Sequence, residues 1–185
     1  MALRFKPTEL PEVILVEPEV FPDERGHFAE IHHREKYRQG GIDVDFIQDN
    51  FSHSLRGILR GLHYQVRKPQ AKLVTVLSGE IFDVAVDIRK GSPTFKRWVG
   101  ARLNGEAKRQ LYVPAGFAHG FCVLSESAEV LYKCSDLYDP EDDRGLLWSD
   151  PELAIAWPIR SPILSKKDAA APSLAAAMKN GLLPL

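Results

Sequence analysis

The stretch "RGILRGLHYQ" (56–65) decides how the chain is read. Ile58, Leu59, Leu62 and Tyr64 are strand formers, and the glycines interrupt helical continuity, so the segment reads as a β-strand. Yet it holds Arg56, Arg60 and His63 among residues that otherwise look like core. Side chains of a strand alternate between its faces, so His63 and Gln65 share one face and Arg60 falls out of phase with them. Either a bulge re-aims Arg60 near the strand start, or it works elsewhere. Burying cations and imidazoles unpaired costs several kcal/mol. Their presence together in apolar strands implies a wet, polar interior that receives an anionic ligand.

Outward from this segment, strand-like runs recur at 13–21, 27–33, 43–52, 57–66, 72–79, 80–88, 95–103, 109–116, 119–125 and 128–138. Turn signals such as "DERG", "QGG", "RKGSP" and "LNGEA" separate them. Many short strands with regular punctuation predict an all-β sandwich or barrel. Helix is scarce. "HREKYRQGG" (33–41) suits a short helix closed by glycine, and "PSLAAAMKNG" (172–181) a second one near the C-terminus, with Pro172 at its start and Gly181 as its stop. No repeat, low-complexity tract or linker divides the chain, so residues 1–185 read as a single domain. Alternation puts Phe82, Val84, Val86 and Ile88 on one face of their strand and Ile81, Asp83, Ala85 and Asp87 on the other. It also groups Lys72 with Val74 and Val76, and Val130, Tyr132 and Cys134 with Asp136 and Tyr138.

The 185 residues suffice for a full core. A formal net charge of -1 gives no bulk field for nucleic acid or an anionic membrane, so any anion site must be built locally. No apolar run approaches the roughly 20 residues that span a bilayer, and "MALRFKPTELPE" lacks an apolar signal core. The expectation is a cytoplasmic protein without nucleic-acid or membrane partners. Cys122 and Cys134 lie in apolar strand-like segments and are expected to be reduced and buried.

Histidines in a β-barrel suggest a cupin-type metal site. Its cue is His-x-His followed by a carboxylate, then Pro-x-Gly-x-x-His on a later strand. "PAGFAH" (114–119) supplies the second half. The first half fails, because Gln65 stands where a second imidazole belongs and Lys72 falls near the expected carboxylate. A cation beside a metal is electrostatically wrong, and two imidazoles alone make a poor site; no metal is expected. The converted pocket has other chemistry. His63 carries an imidazole that can take up a proton, Lys72 can stabilise an oxyanion or enolate, and Tyr132 carries a proton it can donate. His119 adds a second imidazole, and Asp83 or Asp168 could orient one of the two. That is equipment for moving a proton off a carbon next to a carbonyl.

Singly, each residue has a plainer reading. A strand histidine is commonly hydrogen-bonded filler, Lys72 a solvated charge, Tyr132 and Tyr138 amphipathic packing. "DPEDDRG" (139–145) reads as an exposed acidic turn, and His32 and His33 as surface-edge residues. Arg25, in a turn, and Arg60 offer guanidinium forks that match phosphate oxygens. With no Walker or Rossmann glycine pattern, a phosphorylated ligand would be gripped by side chains.

Over about 13–168 the chain resembles the dTDP-4-dehydrorhamnose 3,5-epimerase family. The motifs that carry the likeness, in order, are "FPDERGHFAE" (21–30), "FIQDNFSHS" (46–54), "GILRGLHYQ" (57–65), "GEIFDVAVDIRKGSPTFKRWVG" (79–100), "PAGFAHGFCVLSE" (114–126), "VLYKCSDLYDPEDDRGLLWSDPELAIAWP" (130–158) and "LSKKD" (164–168). The resemblance implies a cupin-like jelly-roll β-barrel, a homodimer that often shares N-terminal strands, and no metal or redox cofactor. It implies epimerisation of dTDP-4-dehydro-6-deoxy-α-D-glucose at C3 and C5. By motif position, His63 is the general base, Asp168 its carboxylate partner, Tyr132 the proton donor and Lys72 the enolate stabiliser. Arg60 and His119 contact the nucleotide-sugar, and Asp83 lies in the same pocket. Arg25, Glu30, Gln48, Asp49 and Asn50 match nucleotide-binding positions, Tyr138 stacks on thymine, and Lys167 is a further ligand contact. One departure is Asp143, where the family often has glutamate. Rival readings are a single-centre epimerase, a sugar 3,4-ketoisomerase, a non-catalytic nucleotide-sugar binder and a metal-dependent cupin oxygenase.

Overall fold

The computed structural model describes residues 2–184. Strands β1 (Leu3–Pro7), β2 (Ile14–Pro18), β3 (Val20–Asp23) and β4 (Gly26–Ala29) precede helix α1 (Arg34–Gln39). Then come β5 (Gln48–Leu55), β6 (Leu59–Gln65), β7 (Lys72–Ser78), β8 (Glu80–Asp87), β9 (Trp98–Asn104), β10 (Gln110–Val113), β11 (Phe117–Val123) and β12 (Ser127–Cys134). β13 (Asp143–Gly145) and the short helices α2 (Lys166–Ala169) and α3 (Leu174–Lys179) follow. A six-stranded sheet in the order β1-β2-β10-β7-β12-β5 faces a five-stranded sheet in the order β13-β6-β11-β8-β9, and β3 and β4 form a separate hairpin. The strands pair antiparallel in a non-sequential order, which is the expected all-β, cupin-like jelly roll.

Three apolar layers hold it. Between the sheets pack Val74 and Val76 of β7, Ile81 and Ala85 of β8, Phe117 and Phe121 of β11, and Val130 of β12. The outer face of the five-stranded sheet, with Leu62, Tyr64, Val84 and Val86, is covered by Leu146, Leu153, Leu174, Ala177 and Leu183 from the C-terminal segment. The outer face of the six-stranded sheet, with Val16, Leu73 and Tyr112, is covered by Tyr37 of α1 and Ile42. Each fully buried large apolar side chain contributes roughly 1.5–3 kcal/mol. Strands buried on both faces explain the near-continuous apolar runs of β7, β8 and β11.

The phase of Arg60 is settled by register. His63 pairs with His119 and Arg60 with Phe121, so three steps along β6 oppose two along β11. This bulge brings Arg60 onto the inward face. Gly61 sits at its centre with φ +118°, and a Cβ there would lie 2.6 Å from Gly120 Cα and 2.7 Å from the His119 carbonyl. Glycine is required on both grounds.

Several expectations need correction. β1 lies ahead of the first predicted run, its alternating Arg4 and Lys6 having masked it. The run at 27–33 is strand only to Ala29, and the run at 43–52 only from Gln48. β12 stops at Cys134, so Asp136 and Tyr138 leave the face of Tyr132. There the side-chain amides of Gln70 and Gln65 take over the Asp136 and Leu137 carbonyls. Pro172 lies outside α3, whose N-cap is Ser173, its hydroxyl accepting from the Ala176 amide at 3.2 Å. Gly181 does follow the helix end, at φ +66°. Only His33 is an exposed edge residue, capping α1; His32 packs against Tyr37 at 4.9 Å and burial lowers its pKa. Cys122 and Cys134 are free thiols and buried. Among the described residues no helix is long and apolar enough to cross a membrane.

Candidate active site

β6 and β11, at the centre of the five-stranded sheet, place His63 and His119 directly opposite one another. Each imidazole has its own carboxylate. His63 Nε2 lies 2.6 Å from Asp168 Oδ1, and His119 Nε2 lies 2.8 Å from Asp83 Oδ1. His63 is one-third exposed and reaches the cavity, whereas the His119 side chain is 7% exposed and Asp83 fully buried. Burial alone would push the Asp168 carboxyl up, but the His63 imidazole, the Ser165 hydroxyl and the Gly61 N–H outweigh it and hold its pKa below the usual carboxylate value. Asp168 thus stays ionised and fixes the imidazole, which leaves the other ring nitrogen to act. The second oxygen of Asp83 is buried and has no partner among the described residues.

The facing sheet supplies the rest. Lys72 opens β7 and Tyr132 lies on β12, and both line a cavity with His63. Lys72 is buried, and among the described residues no carboxylate or carbonyl takes its ammonium; desolvation lowers its pKa, opposed by Cys134, Asp143 and Asp83. A buried cation without a partner is costly, and a negative charge arriving in the cavity relieves that cost. Burial also raises the Tyr132 pKa, so its phenol keeps its proton at neutral pH. Asn50, His63, Gln65, Lys72, Tyr132, Tyr138 and Asp143 line a cavity of about 90 Å³. A second, of about 310 Å³, opens on the other side of His63 and includes Arg60, Lys167 and Asp168. A larger cavity, about 660 Å³, lies beside the β7–β8 turn, at the opposite end of β7 from Lys72, and contains neither imidazole–carboxylate pair.

The other predicted residues divide into two groups. Gln48, Asn50, Arg60, Tyr138, Asp143 and Lys167 surround the mouth. Gln48 accepts from the Tyr138 amide at 2.8 Å and donates to Asn50 at 3.0 Å, and Arg60 Nε donates to Ser54 at 2.9 Å. Asp49, by contrast, points outward and pairs with Lys133 at 3.0 Å. Arg25 is bound to Asp23 in the exposed β3–β4 turn, and Glu30 to Lys36. Pro22 and His27 of that hairpin sit beside the β7–β8 turn, about 20 Å along β7 from Lys72. Arg25 and Glu30 are therefore not brought to the site within one chain. Among the described residues, no three His, Cys, Asp or Glu side chains converge to hold a metal ion.

The model of the family described as dTDP-4-dehydrorhamnose 3,5-epimerase matches residues 7–176. The chain belongs to this family. A dTDP-4-dehydrorhamnose 3,5-epimerase of Pseudomonas aeruginosa is 57% identical over 161 residues, 86% of this chain and 89% of that one. The crystal structure of a dTDP-6-deoxy-D-glucose-3,5-epimerase from Legionella pneumophila in complex with dTDP-4-keto-L-rhamnose superposes with a TM-score of 0.95 at 51% identity, covering 99% of this chain and 98% of that one. A 3'-monoepimerase from Streptomyces bikiniensis in complex with dTDP-quinovose is similar at TM-score 0.90 and 38% identity, over 96% and 91% of the two chains.

As a member of the dTDP-4-dehydrorhamnose 3,5-epimerase family, the chain uses some site residues that sequence reading did not single out. Gln65, read only as a lost metal ligand, ties down the 137–139 loop: its amide donates to the Lys68 and Leu137 carbonyls, and its oxygen accepts from the Asp139 amide at 2.9 Å. Ser165 caps α2 and accepts from the Asp168 amide at 3.0 Å, which sets where that carboxylate stands. The S-x-x-D spacing of 165–168 is a capping signal that could have located this helix.

Proposed function

We propose that the protein converts dTDP-4-dehydro-6-deoxy-α-D-glucose to dTDP-4-dehydro-β-L-rhamnose, as the epimerase of dTDP-L-rhamnose biosynthesis, in one cupin-like domain without a metal or redox cofactor. The observation that carries this is the opposition of two sheets. His63, held by Asp168, projects from the five-stranded sheet; Tyr132 and the unpaired Lys72 project from the six-stranded one. A sugar ring lying between them meets a base on one face and an acid on the other. The 4-keto group acidifies both neighbouring C–H bonds. His63 removes a proton, Lys72 holds the developing enolate oxygen, and Tyr132 returns a proton from the opposite face, inverting the centre. His119 and Arg60 contact the nucleotide-sugar, Gln48 and Asn50 its nucleotide, and Tyr138 stacks on the base. The relatives named as 3,5-epimerases are more similar than the monoepimerase, which favours reaction at both C3 and C5.

The same reading includes a cytoplasmic homodimer. The outer face of edge strand β5 exposes Phe51 and Leu55 at 59% and 58%, and the β3–β4 hairpin exposes Phe28 at 61%. An open strand edge with a row of apolar side chains favours pairing with a second copy. Nucleotide contacts by Arg25 and Glu30 then require the hairpin to serve the partner subunit.

The test is NMR of the protein with dTDP-4-dehydro-6-deoxyglucose in D₂O. Deuterium at both C3 and C5, with the rhamno product trapped by a reductase, is expected. Exchange at one centre only would replace the two-centre reading by a single-centre one. Tight binding with no exchange would leave a nucleotide-sugar binder.

A further inference from the structure

Asp143 and Lys167 together border three cavities. Asp143 lines the 90 Å³ cavity that holds Lys72 and Tyr132, and also one of about 320 Å³ beside the α2–α3 connection. Lys167 lines that second cavity and the 310 Å³ one beside His63 and Arg60. The two side chains are joined: Asp143 Oδ2 accepts from the Lys167 ammonium and also, at 2.9 Å, from the Tyr138 hydroxyl. This three-residue knot closes over the space between them. Behind it the 90 Å³ cavity is far below the roughly 300–1,000 Å³ of a ligand pocket, and the two cavities that Lys167 lines each only reach the lower end of that range.

The knot is weakly anchored. Asp143 sits on a three-residue strand and Lys167 on a four-residue helix. The Asp143 side chain is 15% exposed and that of Lys167 52%, so an anion arriving from solvent can reach the ammonium before it reaches the carboxylate. A partly exposed pair of this kind is worth little in water, and a diphosphate competes for the same cation with more charge and more acceptor oxygens.

We propose that Tyr138, Asp143 and Lys167 form an electrostatic latch that keeps the site divided, and that the diphosphate of the entering nucleotide opens it by drawing Lys167 away from Asp143. This rests on the nucleotide-sugar reading above. Asp143 is then a positioning residue for Lys167 in the free protein, and opening joins the catalytic cavity to the outer ones.

Stopped-flow association of dTDP with wild type, D143N and Y138F tests it. D143N frees Lys167, and association is expected to accelerate about two- to fivefold, with a smaller change in dissociation. Y138F loosens the same carboxylate without altering charge, and is expected to accelerate association less, in the same direction. Acceleration in both supports the latch. Acceleration in D143N alone reduces the effect to charge steering and overturns it, as does an unchanged or slower rate in either variant while dTDP still binds. If D143N fails to fold, Y138F decides by the same sign. Failure of wild type to bind dTDP would remove the nucleotide-sugar reading, and the latch with it.

Discussion

His63 and His119 stand directly across the β6–β11 pair, yet they differ in what they can reach. Both are bound to carboxylates, but the His63 side chain is 33% exposed and that of His119 is 7%. The two pairs therefore differ in access: one imidazole opens to the cavity, and the other sits deeper, beside a carboxylate oxygen that has no partner among the described residues.

Asp168→Asn keeps the shape of the acceptor but removes its charge and lets the amide impose the wrong tautomer on His63. Turnover is expected to fall about 100- to 10,000-fold, with dTDP affinity nearly unchanged. Steady-state kinetics alongside calorimetric titration separates the two; a large loss of affinity would mean that Asp168 serves binding instead.

Lys72→Met should slow C–H exchange about 100- to 1,000-fold, the usual cost of losing one oxyanion stabiliser. It should also leave the protein as stable or more so, because an unpaired buried ammonium disappears. The sign with pH follows from the lowered folded-state pKa of Lys72. The unfolded chain binds the extra proton, so this lysine's contribution to stability rises as pH climbs from that lowered value toward 10.5. Urea unfolding of both proteins between neutral and alkaline pH should show the rise in wild type relative to the variant.

Asp87, at the end of β8, is a purely structural test. Burial would raise its pKa, but Arg89, Ser92 and Thr94 donate to it and pull it down to about 2 from 3.8. It therefore contributes about 2 kcal/mol that is fully present above pH 4 and lost as pH falls through 2. Asp87→Asn should lose that amount in chemical unfolding at pH 7 and show a flatter acid limb.

Gly61→Ala adds a Cβ that would meet the backbone of His119 and Gly120 at under 3 Å. The bulge cannot then keep both Arg60 and His63 facing inward. Expected are a loss of several kcal/mol in unfolding free energy and weaker dTDP binding; wild-type values for both would show that β6 tolerates another register.

The sequence discloses what alternation governs. Strands from β6 to β12 were legible because one or both faces are apolar at period two, and so was the inward grouping of Lys72 with Val74 and Val76. Arg60 could be placed only as an alternative, since a bulge depends on which residue of β11 lies opposite. From the residues alone Asp83 and Asp168 were both candidates for orienting an imidazole, and only the family resemblance gave Asp168 to His63, because which histidine each takes is set by pairings across the barrel. α2 was missed because four residues carry no periodicity, although it holds both Lys167 and Asp168. The remoteness of Arg25 and Glu30 was equally hidden, because a motif records residue type and order and leaves distance unstated.

The carboxylate that orients His63 comes 105 residues later in the chain. At a synthesis rate of 5–20 residues per second, a nascent chain carries the imidazole for about 5–20 s before its partner has even been made. During that interval the outer face of β6, with Leu62 and Tyr64, also lacks the C-terminal residues that cover it. The last-made part of this barrel is thus the part that both shields the β6 face and supplies the partner of His63, so an unfinished chain leaves that imidazole unheld and that apolar face exposed at the same time.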